Sequence, residues 1–110
     1  MQNSVYIDGW NGLEDMLIDF EIEASALEGF NIIVAAYDTS GSYSGDAFVL
    51  LEKEGKYYEV NGAHCSCYGL EGQFNLEESA EEALKFRYDS DFSYGGFAMA
   101  KETLKQHFRW

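Results

Sequence analysis

The sequence predicts an α+β domain in which a small antiparallel sheet of about three strands packs with an N-terminal helix and two C-terminal helices. Three observations predict it. A helical apolar stripe lies in the first third of the chain, β-rich apolar segments fill the middle, and two further helical patterns follow. With 110 residues, of which 46% are hydrophobic, the chain is long enough for one core. We therefore expect residues 1–110 to form a single globular domain.

The N-terminal helix is predicted over residues 11–29. Its apolar residues recur at i, i+3, i+4, i+7, i+11 and i+14, a spacing that places them on one side of a helix. They are Leu13, Met16, Leu17, Phe20, Ala24 and Leu27. Asn11 is a suitable N-cap, and Gly29 is a suitable residue just beyond the C-terminus.

A second pattern lies on the back of the same helix. Its four residues fall at i, i+3, i+4 and i+7, which would place two carboxylates and two β-branched side chains on one exposed ridge. They are Asp15, Ile18, Asp19 and Ile22. An apolar centre flanked by charge is typical of interfaces, so we expect this ridge to bind a partner. The alternative is an ordinary solvated face, or one covered by the last helix of the domain.

Three strands are predicted in the middle of the chain. The run FNIIVAAY, residues 30–37, is apolar and β-rich, which predicts a buried strand. The run AFVLLEKEGKYYEVNG, residues 47–62, predicts two strands joined as a hairpin around Glu54-Gly55. Turn-forming residues in DTSGSYSGD separate the first strand from this hairpin.

The two C-terminal helices follow. In NLEESAEEALKFRY, residues 75–88, Asn75 followed three residues later by Glu78 resembles a capping box, so we expect the first of them to begin there. The run FAMAKETLKQHFRW, residues 97–110, predicts the last helix. Its inner face would carry Phe97, Ala100, Leu104 and Phe108.

The charge of the chain is strongly negative. Twenty acidic and seven basic residues leave a formal net charge of −13, and the first basic residue is Lys53. Such a surface repels nucleic acids and membrane phosphates and attracts basic protein grooves, although it can also serve solubility alone. No apolar run reaches the roughly 18 residues of a membrane span, and the first ten residues lack a signal-peptide pattern. We expect a cytosolic protein that binds neither nucleic acid nor membrane directly.

The segment GAHCSCYGLEGQF, residues 62–74, brings together His64, Cys65 and Cys67. Zinc is usually held by four Cys, His or carboxylate ligands, and a bend at the flanking glycines would let these three converge. Asp46 and His107 are the main candidates for a fourth ligand. Two alternatives stay open: a strained, reducible disulfide across one residue, and two small buried cysteines beside a turn.

Catalysis has little support in the sequence. A Cys/His nucleophile pair requires contact between the two side chains, and adjacent residues such as His64 and Cys65 seldom face each other. The chain contains no phosphate-binding loop motif. We therefore expect no enzymatic activity.

The run YSGDAFVLLEKEGKYYEVNGAHCSCYGLEGQFNLEE, residues 43–78, resembles a family of small acidic proteins encoded by bacteriophages and prophages. The likeness lies in Gly-Asp-Ala-Phe, in Lys-x-Tyr-Glu-Val and above all in His-Cys-Ser-Cys-Tyr-Gly-Leu-Glu-Gly-Gln. It covers about a third of the chain. The chain is also similar to a zinc-containing anti-CRISPR protein that inhibits the RNA-guided nuclease of type II systems. The resemblance implies a structural zinc ion held by His64, Cys65, Cys67 and, more loosely, Asp46.

Charge and resemblance together predict a phage-encoded inhibitor that binds a CRISPR effector nuclease in the host cytoplasm through its acidic surface. Such nucleases carry a positive channel for the guide–target heteroduplex. The inhibitor would prevent loading or cleavage of target DNA, either by mimicking DNA or by binding a recognition lobe. Two other functions remain open: an acidic regulatory or structural phage protein, and a small zinc or thiol redox protein that uses the Cys-x-Cys segment.

Overall fold

The computed structural model describes residues 4–39, 45–65, 69–90 and 95–110. Its described elements are strands β1 (Val5–Asp8), β2 (Asn31–Asp38), β3 (Gly45–Lys53), β4 (Lys56–His64) and β5 (Glu77–Ser79), and helices α1 (Leu13–Phe20), α2 (Glu81–Tyr88) and α3 (Gly95–Phe108). A 3₁₀ helix spans Ala24–Leu27. The predicted α+β class is confirmed.

The sheet is larger than predicted and is not purely antiparallel. Its five strands lie in the order β1-β2-β3-β4-β5. The three expected strands are β2, β3 and β4, which pair antiparallel. The prediction of about three antiparallel strands was wrong at both edges, because β1 pairs parallel with β2 and β5 pairs with β4. Both edge strands are short and partly exposed, so neither produces a long apolar run.

The sheet separates two apolar clusters. On the first face, α1 and the 3₁₀ helix pack against alternate strand residues, including Ala47, Val49 and Leu51 of β3. On the second face, α2 and α3 pack against the intervening residues, including Phe48 and Leu50. Successive side chains of a strand point to opposite faces, so a strand covered on both sides is apolar throughout. This explains the continuous apolar run in the centre of β3.

Helix α1 is shorter than the predicted N-terminal helix, because it ends in a Schellman motif. Glu21 adopts the left-handed conformation (φ 55°, ψ 47°), and the N–H of Ile22 donates to the carbonyl oxygen of Leu17. Such a motif commonly joins two apolar residues at these positions. Here Leu17 and Ile22 both pack against the cluster on the first face.

The C-terminal helices correct one prediction and confirm another. The capping box at Asn75 was wrong: residues 77–79 form β5, and α2 begins only at Glu81. Helix α3 begins at Gly95 and buries Phe97, along with Ala100 and Leu104, as predicted. In the part of the chain that the structure describes, no helix has the length and apolarity needed to cross a membrane.

Candidate functional site

The imidazole of His64, the last residue of β4, is packed in place from two sides. It lies edge-on to Tyr37, with ring centroids 5.5 Å apart. Its cross-strand partner is Gly45, where a Cβ atom would lie 2.8 Å from Nε2. The other ring nitrogen, Nδ1, is 3.4 Å from the carbonyl oxygen of Cys65. Nε2 therefore faces the backbone of β3, and Nδ1 is the nitrogen nearer to the cysteine segment.

The carboxamide of Gln73 joins the two ends of the loop that carries the cysteine segment. Its oxygen accepts a hydrogen bond from the N–H of Ala63 at 2.8 Å. Its nitrogen donates to the carbonyl oxygens of Ala63 and Gly69, at 2.7 and 2.8 Å. Leu70, which is 1% exposed, anchors the loop in the cluster on the first face. The side chain of Gln73 thus acts in place of a strand residue beside β4.

Asp46 lies on the opposite face of the sheet from His64. The prediction that the two side chains bind one metal ion was therefore wrong. Its cross-strand partner on β4 is Ala63, one residue before His64, and neighbouring strand residues point to opposite faces. The Asp46 carboxylate points to the start of α3, where a Cβ atom on Gly95 would lie 2.8 Å from Oδ2. A carboxylate is stabilised at a helix N-terminus, which gives Asp46 a structural role there.

His107, the other candidate for the fourth position, is also distant from His64. Its ring lies 6.4 Å from that of Tyr57, at the start of β4. His64 is seven residues further along that strand, which corresponds to about 23 Å at the rise of a β-strand. His107 and His64 therefore do not share a site.

The remaining candidate ligands are His64, Cys65 and Cys67. Cys65 is half-buried beside His64, and Cys67 lies outside the described residues. Within residues 4–39, 45–65, 69–90 and 95–110, no group of three His, Cys, Asp or Glu side chains is arranged to hold a metal ion. The four predicted ligands do not fit one ion, because Asp46 is on the wrong face of the sheet.

The predicted partner-binding ridge on α1 is divided by the end of the helix. Ile18 is 64% exposed, as expected. Asp15 accepts a hydrogen bond from the N–H of Asn11 at 3.0 Å, and Asp19 accepts one from the Trp10 indole at 2.7 Å. Ile22 follows the Schellman turn and packs inward, so its predicted exposure was wrong.

The charge is distributed unevenly between the two faces. Residues 11–29, which we call the acidic layer, cover the first face and contain six carboxylates and no Lys or Arg. The described residues 81–90 and 95–110 cover the second face and contain four acidic and five basic residues. The six carboxylates belong to Glu14, Asp15, Asp19, Glu21, Glu23 and Glu28. Among the described residues none of these six forms an ion pair, whereas Glu59, Glu78 and Asp89 do.

A partly buried ion pair joins α2 to the sheet. Glu59 of β4, 6% exposed, accepts hydrogen bonds from Arg87 Nη1 at 2.6 Å and Asn61 Nδ2 at 2.7 Å. Burial favours the neutral carboxyl group, but hydrogen bonds from Arg87, Asn61 and Ser79 and the charge of Arg87 outweigh it, so the pKa of Glu59 is lowered. The Arg87 guanidinium also lies 4.4 Å from the centroid of the Phe97 ring. Sequence patterns did not identify the pair, because its members are 28 residues apart.

A cavity of about 530 Å³, lined by both polar and apolar residues, opens beside this ion pair. Asn61 and Arg87 line it together with Asp46, Ser90 and Phe97. Its size is within the range of small-molecule sites, but most of its polar groups already take part in the fold. Asn61 and Arg87 bind Glu59, and Asp46 faces the start of α3.

No protein-family model, no curated protein sequence and no solved structure matches the chain. A functional proposal for the chain therefore depends on the geometry and charge of its described residues.

Proposed function

We propose that this protein is a non-catalytic inhibitor that binds a strongly basic protein through its acidic layer. The observation that carries the proposal is the separation of charge between the two faces of the sheet. The candidate partner is a CRISPR effector nuclease of a type II system, which the sequence resemblance suggests. Binding would prevent the loading or cleavage of target DNA in the host cytoplasm.

Electrostatics favour this kind of partner. Carboxylates that form no ion pair among the described residues create a negative potential over one side of the molecule, which attracts a positive surface and orients the encounter. An effector nuclease holds its heteroduplex in a positively charged channel. The layer of α2 and α3 has balanced charge and would face away from such a partner.

Zinc enters the proposal as a structural ion held by His64, Cys65 and Cys67, without Asp46. When bound it would stabilise the end of β4 and the loop that follows, because metal binding energy adds to folding energy. The acidic layer contains none of these residues, so binding of the partner does not depend on direct contact with the ion.

A cleavage assay with matched charge reversals tests the proposal. Glu21→Lys with Glu23→Lys changes the acidic layer, whereas Glu82→Lys with Glu102→Lys makes the same change of net charge on α2 and α3. All four glutamates are exposed. We expect wild-type protein to inhibit DNA cleavage by a guide-loaded type II effector nuclease. We expect the first double variant to lose at least tenfold in potency and the second to inhibit like wild type.

Two results would overturn the proposal. One is an absence of inhibition and of binding by the wild-type protein. The other is an equal loss of potency in both double variants, which would mean that only the overall charge matters and that the acidic layer has no special part in binding.

A further inference from the structure

Ile18 is a large apolar side chain at the centre of the acidic layer, and folding does not account for it. It is 64% exposed, whereas Met16 and Phe20 of the same helix are buried in the cluster on the first face. An isoleucine is also a poorer helix former than alanine, lysine or glutamate at an exposed position. The side chain therefore adds little to the stability of α1.

The exposed carboxylates nearest to Ile18 along the chain are those of Glu14 and Glu21. Glu14 lies about one turn before Ile18 on α1, and Glu21 is the left-handed residue just beyond the end of the helix, so the two flank Ile18 along the chain. Asp15 and Asp19, which would complete a continuous acidic row, each use an oxygen to hold residues 10 and 11 at the start of the helix. The most exposed part of this surface is an apolar side chain flanked by two carboxylates, while Asp15 and Asp19 are partly buried.

This arrangement differs from a row of phosphates. Duplex DNA carries one charge per about 1.7 Å of its axis, so a channel built for it is lined continuously with cations. Ile18 placed against such a lining would remove water from Lys or Arg side chains and give them no hydrogen bond in return. An apolar pocket with cations at its rim avoids this loss, because the isoleucine fills the pocket while both carboxylates reach the rim.

We propose that Ile18 is the anchor of the acidic layer and inserts into an apolar pocket that is bordered by Lys or Arg side chains on the partner protein. The proposal rests on the proposed function, and it favours binding to a protein surface over imitation of nucleic acid. A buried apolar anchor surrounded by weaker polar contacts is the common organisation of interface energy. In this scheme the carboxylates determine how binding depends on salt, and Ile18 determines how slowly the complex dissociates.

Affinities of three proteins for the guide-loaded type II effector nuclease test the anchor: wild type, Ile18→Ser, and Phe86→Ser. Phe86 is the matched control, because it is 77% exposed but lies on α2, on the other face. We expect Ile18→Ser to weaken binding by about tenfold or more, mainly through faster dissociation. The slope of log K against log salt should stay at its wild-type value, and Phe86→Ser should bind like wild type.

Each alternative outcome has a separate meaning. If Ile18→Ser binds as tightly as wild type, the role of Ile18 as an anchor is overturned. If the double variant Glu14→Gln with Glu21→Gln then loses affinity in the same experiment, the result indicates imitation of phosphates instead. An equal loss in Phe86→Ser would also overturn the role of Ile18, because the effect would not be specific to the acidic layer. A wild-type protein that does not bind the nuclease would overturn the proposed function and, with it, the anchor.

Discussion

Replacing Glu59 by glutamine should destabilise the protein markedly, although the two side chains have almost the same shape. Glutamine keeps one oxygen that can accept from Arg87 and Asn61, but it cannot supply the charge that holds Arg87. Breaking a fully buried ion pair costs about 3–5 kcal/mol, whereas an exposed pair contributes about 0–1 kcal/mol. The side chains of Glu59 and Arg87 are 8% and 38% exposed, so water can reach the guanidinium. We expect a loss of about 1.5–3 kcal/mol, between these two limits.

Urea unfolding followed by circular dichroism measures this loss, and Glu78→Gln is the control. Glu78 lies on β5 and faces Lys56 at 4.0 Å, with both side chains more than 60% exposed. That exposed pair should contribute less than about 0.5 kcal/mol. A loss below about 0.5 kcal/mol for Glu59→Gln as well would refute the assignment of Glu59 and Arg87 as the main polar connection between α2 and the sheet.

The pH dependence gives the same prediction a second readout. The pKa of Glu59 is lowered in the folded protein from its ordinary value of 4.5. The folded state therefore binds this proton less readily than the unfolded state, and the stabilisation is complete above pH 4.5. It disappears as the pH falls through the folded-state pKa. The stability difference between wild type and Glu59→Gln should be constant above about pH 5 and should shrink below pH 4.5.

Three further predictions concern the end of β4. Gly45→Ala should lower the free energy of unfolding in urea by about 1–3 kcal/mol, because the added Cβ atom would meet His64 and a carbonyl oxygen. Gly12→Ala is the control: it has open space around the added Cβ atom and should stay within about 0.5 kcal/mol of wild type. Gln73→Glu should lower the melting temperature at neutral pH, since a carboxylate cannot donate to two carbonyl oxygens. An unchanged melting temperature would refute the role of Gln73 in joining the two ends of the loop. Elemental analysis should find about one zinc ion per chain in the wild-type protein and the same zinc content in Asp46→Ala. A wild-type protein without metal, or a loss of zinc in Asp46→Ala, would contradict the proposed zinc site.

The centre of the fold could be predicted from the sequence, because it depends on long and regular patterns. Strands β2 and β3 have continuous apolar centres, residues 32–37 and 47–51, and α3 repeats its apolar residues at helical spacing over most of its length. The edges could not be predicted in this way. Strand β5 has three residues, and its glutamates are as suitable for a helix start as for an exposed edge. Only pairing with β4, which is a tertiary contact, determines their conformation.

The candidate site was predictable to a smaller extent. Helical spacing predicts that Ile18 is exposed, and Ile18 is exposed in the structure. The position of Ile22 does not follow, because the helix turns at Glu21, a residue that rarely adopts a left-handed conformation and so carries no stop signal of the kind glycine provides. The separation of Asp46 from His64 depends on the register of β3 against β4, which only the paired strands determine.

Hydrogen exchange of the protein alone and in complex with the guide-loaded effector nuclease tests the central claim most directly, because it reports which surface the partner covers. We expect amides of α1 and the 3₁₀ helix, residues 13–27, to exchange more slowly in the complex, and those of α2 and α3 to exchange at unchanged rates. Protection confined to α2 and α3, with unchanged exchange in residues 13–27, would contradict the assignment of the acidic layer as the binding surface.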